Sequence, residues 1–160
     1  MVAGTYVHES ISPVPVSRLW KASADGDKIT PKILPELISS IVILEGNGGV
    51  GTVKQLNFTQ AMKEFSYVKE RVDAIDGEKH VYKSTVVGGG LMGIKFKAYA
   101  FQVKMEATSE GGTKTTLTLE YDTVGDTQMS QEELGDIAKK MMSIPKAIET
   151  HLLANPDAYA

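Results

Sequence analysis

Residues 127–153, TQMSQEELGDIAKKMMSIPKAIETHLL, form the longest stretch of helical periodicity in the chain. Apolar side chains recur there at helical spacing, which predicts one amphipathic helix of about seven turns. The side chains of its apolar face are Leu134, Ile137, Ala138, Met141, Ile144, Ile148 and Leu152. A face of this width needs a partner, and we expect a β-sheet built from the preceding residues to cover it.

The start and the middle of this helix carry position-specific signals. Ser130 stands three residues before Glu133, so the serine hydroxyl and the glutamate carboxylate can form a capping box. Pro145 supplies no backbone N–H, and we expect it to bend the helix around Met141 and Met142.

The preceding residues are typical of short strands separated by glycine-containing turns. Apolar alternation predicts strands at 5–11, 39–44, 53–59, 65–73, 81–87, 94–106 and 113–122. Short helices are expected at 17–22 and from Pro31 onward. The apolar face of 94–106 changes sides near Ala98, which predicts a β-bulge there. Because the strands follow each other through short turns, residues 1–160 are predicted to form one α+β domain with an antiparallel sheet.

Composition narrows the function classes. The chain has 160 residues, a net charge of −3 and no cysteine. An acidic chain lacks the basic face that phosphate binding requires, so nucleic acid is not expected to be the main partner. Without cysteine there is no disulfide framework and no thiolate chemistry. No signal-peptide pattern and no bilayer-spanning apolar run are found, so we expect a cytoplasmic protein without a membrane partner.

The glycine-rich segment 46–51 contains Gly46, Gly48, Gly49 and Gly51, and its spacing matches G-x-G-x-x-G. Dinucleotide binding through this motif needs a helix directly after it, whereas a strand pattern follows here. A phosphate-binding loop would need a lysine directly after the last glycine, and Thr52 stands there. The segment is therefore predicted to be a hairpin loop, and no cofactor is expected.

No catalytic or metal-binding constellation is apparent. His8, His80 and His151 lie far apart and show no metal-ligand spacing, so no metal is expected. Glu149 and His151 are two residues apart on a helix, where their side chains diverge. The aromatic and methionine side chains leave two interpretations open, a close-packed core or the lining of an adaptable ligand cavity.

Four segments carry a family resemblance: SRLWKA at 17–22, EGNGGVGT at 45–52, FSYVKERVD at 65–73 and LLANP at 152–156. In this order, over the whole chain, they resemble the plant pathogenesis-related class 10 proteins, the family of the major birch pollen allergen. The resemblance implies the helix-grip fold, a seven-stranded antiparallel sheet wrapped around a long C-terminal helix with two short helices.

The resemblance also implies a large internal cavity that takes flavonoids, cytokinins, sterols or alkaloid-like compounds. Carried over by position, the ligand-binding residues are Lys54, Leu56, Phe58, Phe65, Tyr67, Tyr82, Tyr99, Phe101, Ile137, Met141 and Ile144. Lys54 shares a strand face with Leu56 and Phe58, which suits it to a polar contact. No catalytic residue is assigned.

The chain departs from the related enzymes and receptors at 87–93. Val87 replaces a glutamate that is usual in the family, and Gly90-Leu91-Met92-Gly93 lacks the tyrosine that norcoclaurine synthase has there. The Ser-Gly-Leu-Pro-Ala gate of the related abscisic acid receptors is also absent. These departures count against both activities.

We therefore expect a monomeric intracellular plant defence or stress protein that binds an apolar or amphipathic small molecule and is not an enzyme. The alternative is a condensing or isomerising enzyme of plant specialised metabolism, with Lys54, Glu70 or Tyr67 as its titratable group. A weaker alternative is a ribonuclease that uses Glu149 and His151, which the acidic composition disfavours.

Overall fold

The computed structural model describes residues 2–160. Seven strands and four helices follow each other in the order β1 (Ala3–Ser12), α1 (Val16–Ala24), α2 (Gly26–Ile33), β2 (Ile38–Glu45), β3 (Val53–Phe58), β4 (Tyr67–Asp76), β5 (Val81–Gly89), β6 (Phe96–Ala107), β7 (Thr113–Thr123), α3 (Gln131–Met141) and α4 (Ser143–Ala154). The predicted α+β class with a seven-stranded antiparallel sheet is confirmed.

The strands lie in the order β1-β7-β6-β5-β4-β3-β2, and every neighbouring pair is antiparallel. From β2 onward each strand pairs with the next one in the chain, as short turns predict. The first strand instead pairs with the last, with Val7 opposite Thr118. The helices α1 and α2 form the connection between the two edge strands β1 and β2.

The long C-terminal helix is divided at Met142, which separates α3 from α4. Pro145 causes this division as predicted, because its ring crowds the carbonyl of Met141 and it has no N–H to donate. The Ser130 hydroxyl accepts a hydrogen bond from the Glu133 N–H at 3.1 Å, which confirms the predicted N-cap. The expected single helix is thus two helical segments.

The start of the second short helix was predicted wrongly. The helix α2 begins at Gly26, directly after Asp25, which ends α1, and Pro31 lies inside it instead of opening it. The Asp-Gly-Asp sequence is a corner between two helices. Because α2 has only eight residues, the hydrogen bond that Pro31 removes is a small loss.

The predicted bulge in β6 is confirmed. The register of β6 against β7 shifts between Phe96 and Ala98, so Phe96 and Tyr99 both point inward. Phe96 is fully buried and Tyr99 is 7% exposed. The bulge therefore keeps aromatic side chains on the inner face along the whole strand.

Buried apolar side chains form two clusters beneath the helices. One surrounds Phe96, Leu119 and Leu134 under α3, and the other joins Leu19 of α1 to Leu152 of α4. Residues of both clusters line the space between them.

The C-terminal residues tie α4 to the two short helices. The Arg18 guanidinium donates to the carbonyls of Leu152, Asn155 and Ala158 at 2.8, 2.6 and 2.7 Å. The Tyr159 hydroxyl donates to Asp25, at the corner between α1 and α2, at 2.8 Å. These contacts fix the corner from which α2 reaches the interior.

Candidate functional site

A cavity of about 400 Å³ lies between the concave face of the sheet and the helices α3 and α4. Side chains of β3 to β6 form one wall and side chains of α3 and α4 the other. The residues Met62, Glu64 and Phe65, between β3 and β4, complete it on one side. The interior is therefore not filled by a close-packed core, which was the competing interpretation of the aromatic and methionine pattern.

The structure brings together most of the side chains that the sequence indicated. Those that line the cavity are Lys54, Leu56, Phe58, Phe65, Tyr82, Tyr99, Phe101, Ile137, Met141 and Ile144. Phe58 and Phe65 meet edge to face, with ring centroids 5.3 Å apart. Apolar atoms from strands and helices thus surround most of the cavity.

Tyr67 does not line the cavity, so its placement in the predicted site is corrected. It begins β4, and its side chain is 37% exposed, beside Lys69. The family resemblance placed Tyr67 in the lining by position, together with Phe65, but Phe65 lies in the loop before the strand. The inward set of β4 is Val68, Glu70 and Val72.

The glycine-rich segment 46–51 is the hairpin loop between β2 and β3, as predicted. Gly46, Gly48 and Gly51 have positive φ values of 87°, 101° and 90°, which favour glycine. Gly48 also lies against the cavity.

The N–H groups of this loop already have acceptors. Gly48 donates to the Thr52 hydroxyl at 2.8 Å, and Gly51 donates to the Val72 carbonyl at 2.8 Å. Gly49 donates to the Asn47 side chain at 3.1 Å. These three groups are therefore not available to hold an anion.

One end of the cavity, which we call the polar end, is formed by Asp27, Lys54, Glu70 and Tyr82. Asp27 lies in the first turn of α2, and the other three lie on β3, β4 and β5. The Lys54 ammonium donates to the Asp27 carboxylate at 2.8 Å and lies 5.4 Å from the centre of the Tyr82 ring. Four separate elements thus bring charged and hydroxyl groups to one place.

Burial and mutual attraction set the protonation of this polar end. Burial alone would lower the pKa of Lys54, but Tyr82, Glu70 and Asp27 together raise it above its usual value. Lys54 is consequently a stable cation. Burial raises the pKa of Glu70, partly offset by Lys54, and burial also raises the pKa of Tyr82.

Sequence reasoning missed Asp27 and Thr30 as cavity residues and named Glu70 only for the enzyme alternative. The signal for Glu70 was present, since it follows Val68 by two residues on the same strand face. Asp27 carried no such signal, because its role depends on a contact with a strand 27 residues away.

The opposite side of the cavity carries a second ion pair. The Lys140 ammonium of α3 donates to the Glu64 carboxylate from the loop before β4, and both side chains border the cavity. This contact links the loop to the helix beside Met141.

The residues of the ribonuclease alternative lie on α4 outside the cavity lining. Glu149 is 3.8 Å from the Lys146 ammonium, and the backbone carbonyl of His151 accepts from Asn155. Within residues 2–160 no group of three or more histidine, cysteine, aspartate or glutamate side chains is arranged to hold a metal ion. No helix in that part of the chain has the length and apolar character to cross a membrane.

Comparison with known proteins identifies the family. The model of the "Pathogenesis-related protein Bet v 1 family" matches residues 1–155. The chain is 39% identical to the major pollen allergen Bet v 1-M/N of Betula pendula over 155 residues, 96% of both chains. The chain therefore belongs to the pathogenesis-related Bet v 1 family, as the sequence segments indicated.

Solved structures agree with this assignment. The crystal structure of Ara h 8.0201 matches with a TM-score of 0.83 and 39% identity, over 96% of this chain and 100% of that chain. Norcoclaurine synthase from Thalictrum flavum, solved with dopamine and hydroxybenzaldehyde, matches with a TM-score of 0.75 and 20% identity, over 96% of this chain and 88% of that chain. At that identity the second match shows the shared fold only.

Proposed function

We propose that the chain is a ligand-binding domain that takes up apolar or amphipathic small molecules in the cavity between sheet and helix. The observation that carries the proposal is the cavity of about 400 Å³, apolar over most of its lining and polar at one end. Such a site holds a ring system by burial and orients it by a few polar contacts.

The magnitude of the apolar contribution is adequate for binding. A ligand that loses about 200 Å² of apolar surface to the cavity gains about 5 kcal/mol at roughly 25 cal/mol per Å². This gain does not depend on a precise polar match, which suits flavonoids, cytokinins, sterols and alkaloid-like compounds alike.

A fluorescence titration tests the proposal. Trp20 lines the cavity and contacts His80, with ring centroids 5.2 Å apart, so a bound ligand is expected to change its emission. A panel of one flavonoid, one cytokinin, one sterol and one alkaloid is titrated into the protein. Saturable binding of at least one class is expected, and no saturable binding of any class would contradict the proposal.

Met141→Lys is expected to weaken this binding about tenfold or more, since it places an ammonium against the apolar lining. Leu153→Lys is the control, because it also introduces a lysine in place of an apolar side chain, but at a position that is 52% exposed on α4 and outside the cavity lining. Circular dichroism checks that both variants fold. Equal affinities of the two variants would place the ligand elsewhere.

We also propose an intracellular role in plant defence or stress, supported by the pathogenesis-related family description. Transcript induction after pathogen challenge and the location of a fluorescent fusion in plant cells test this role. Light scattering tests the expected monomer.

A second proposal, acid–base catalysis in specialised metabolism, is favoured by one observation. Glu70, whose pKa is raised by burial, faces the same cavity as the Tyr82 phenol. Lys54 is less suited to form an imine because its pKa is raised. Product analysis after incubation with amine and aldehyde substrates, with Glu70→Gln as the control, tests the proposal.

A further inference from the structure

The carboxylate of Glu70 faces the cavity with no cation or hydrogen-bond donor of the described chain, residues 2–160, within bonding distance. Lys54 lies directly opposite Glu70 in the register of β3 and β4. Opposite charges in that position usually pair across the strands. Here the Lys54 ammonium instead forms its ion pair with Asp27, at 2.8 Å, so the Glu70 carboxylate has no ion pair with the lysine opposite it.

The charges around Glu70 do not balance. The titratable groups around Glu70 come from four other elements. They are Asp27 of α2, Lys54 of β3, Tyr82 of β5 and Tyr99 of β6. The Tyr99 hydroxyl accepts a hydrogen bond from the Leu91 N–H at 3.0 Å and brings no positive charge to Glu70. The single ammonium of Lys54 faces two carboxylates, so one negative charge remains uncompensated when Glu70 is ionised.

The helices supply no second cation. The side chains of α3 and α4 that line the cavity are apolar, except for Lys140, which pairs with Glu64. When Glu70 is ionised, a compensating charge has to come from outside residues 2–160, and a cationic ligand can supply it.

Two hydroxyl groups give independent evidence that a polar group of a ligand belongs at this end. The Tyr82 phenol oxygen and the Thr30 hydroxyl are buried without a hydrogen-bond partner among residues 2–160, and both residues line the cavity. Thr30 lies about one helical turn after Asp27 on α2, and the Tyr82 phenol lies beside Lys54. Thr30 is 0% exposed. Buried polar groups without a partner are rare and destabilising, and an incoming donor relieves them.

We propose that the polar end is a subsite for the protonated amine of an aromatic amine, with Glu70 as its counter-ion and the aromatic ring in the apolar part of the cavity. The proposal rests on the ligand-binding function proposed above and names the ligand class. An ammonium group has three donors, and the carboxylate and the two hydroxyls are acceptors for them. An anionic ligand is disfavoured, because Lys54 is already paired and Glu70 repels it.

Proton release should accompany binding. Burial raises the pKa of Glu70, so the free protein holds a proton there up to a higher pH than an exposed glutamate would. A bound ammonium favours the carboxylate form and lowers its pKa, and the proton leaves Glu70 for the buffer. The affinity for the amine should consequently fall as the pH falls through the pKa of Glu70 in the free protein.

Calorimetry with three ligands that share one ring system tests the inference. Naphthylethylamine, naphthylethanol and naphthylacetate are titrated into the full chain at neutral pH. The amine should bind most tightly and the acid most weakly. Glu70→Gln keeps the side-chain size and removes the charge, and it should reduce the affinity for the amine about tenfold or more while leaving that for the alcohol unchanged.

Glu120→Gln is the matched control. It is the same chemical change at a residue that is exposed on β7 and lies outside the cavity lining. It should leave all three affinities unchanged. Titrations of the wild type in buffers of different ionisation enthalpy are repeated over a pH series that spans the titration of Glu70. They should show proton release with the amine within that series and none with the alcohol, a result that does not depend on any variant folding.

The outcomes separate the two proposals. If the alcohol binds and the amine binds no more tightly, the amine subsite is wrong while the ligand-binding function stands. Equal losses for amine and alcohol in Glu70→Gln, or no proton release with the amine at any pH of the series, also overturn the subsite. If none of the three ligands binds saturably, both proposals fail.

Discussion

Tyr99 shows how one residue ties the cavity wall to the turn above it. Its hydroxyl accepts a hydrogen bond from the Leu91 N–H at 3.0 Å, and the Tyr99 side chain is 7% exposed. Burial raises the pKa of Tyr99 to about 12 from the usual value of 10.0, although the Leu91 contact acts in the opposite direction. The folded protein therefore retains a proton that the unfolded chain loses.

Stability should fall steeply in alkaline solution for this reason. The raised pKa of Tyr99 contributes fully to the free energy of unfolding below pH 10. This contribution, about 3 kcal/mol, is lost as the pH rises from 10 to about 12. Tyr99→Phe should cost about 1–3 kcal/mol at neutral pH, because the Leu91 N–H loses its acceptor. Urea denaturation over that pH range should then show a smaller alkaline loss for Tyr99→Phe than for the wild type, and equal losses would contradict this account.

The turn between β5 and β6 depends on glycine in two different ways. Gly90 and Gly93 both have positive φ values, of 57° and 77°. A Cβ atom at Gly90 would lie 2.2 Å from the Tyr99 hydroxyl, whereas a Cβ atom at Gly93 would meet nothing within 4 Å. Only Gly90 is therefore required by packing as well as by the backbone.

Gly90→Ala should be more destabilising than Gly93→Ala by about 1–3 kcal/mol, the usual cost of forcing extra volume into a packed site. Both variants carry the cost of alanine at a positive φ value, so their difference reports the contacts of the added methyl group with Tyr99 and Val68. Chemical denaturation measures the two free energies of unfolding. Similar values for the two variants would show that Tyr99 moves aside freely.

Most elements were predictable from the sequence because their signals are local. The alternation of β7, the bulge between Phe96 and Ala98 and the cap at Ser130 all depend on residues close together in the chain. Pro145 also acts on the turn that contains it, so the bend of the C-terminal helix was foreseeable.

The errors arose where an element starts or where distant residues meet. Tyr67 was assigned to the lining by position from the family resemblance, whereas Phe65 reaches the cavity from a loop and the inward set of β4 begins at Val68. Likewise, no local pattern states that Asp27 will hold Lys54 or that Arg18 will reach the end of α4. The apolar lining was thus accessible to sequence reasoning, whereas the partners of the charged groups were not.

For the whole molecule, Arg18 joins the start of the chain to its end. It donates to the carbonyls of Leu152 in the last turn of α4, of Asn155 at the C-cap and of Ala158 beyond the helix. These carbonyls lie where a helix can no longer supply donors of its own. The same contact holds α1, and with it the corner that leads to Asp27. Loss of the guanidinium should therefore loosen both the C-terminal segment and the short helices.

Arg18→Lys keeps the charge but cannot reproduce the planar set of donors, and it should cost about 2–3 kcal/mol. Arg71→Lys is the matched control, since Arg71 is exposed and pairs only with Asp73 on its own strand. Hydrogen exchange should accelerate at 16–33 and 152–158 in the first variant alone. Unchanged exchange at 16–33 would show that α1 and α2 are held by other contacts.

The pairing of β1 with β7 has a consequence for how the chain is made. The first strand to leave the ribosome is the last to find its neighbour, because β1 waits for β7 about a hundred residues later. During that interval its hydrogen-bonding edge stays open, with Val7 and Ile11 on a side that remains exposed even in the finished molecule. Such non-local pairing favours slow folding. Translation that stops before Thr113 leaves β1 with no strand to join, and we expect such truncated chains to aggregate or be degraded.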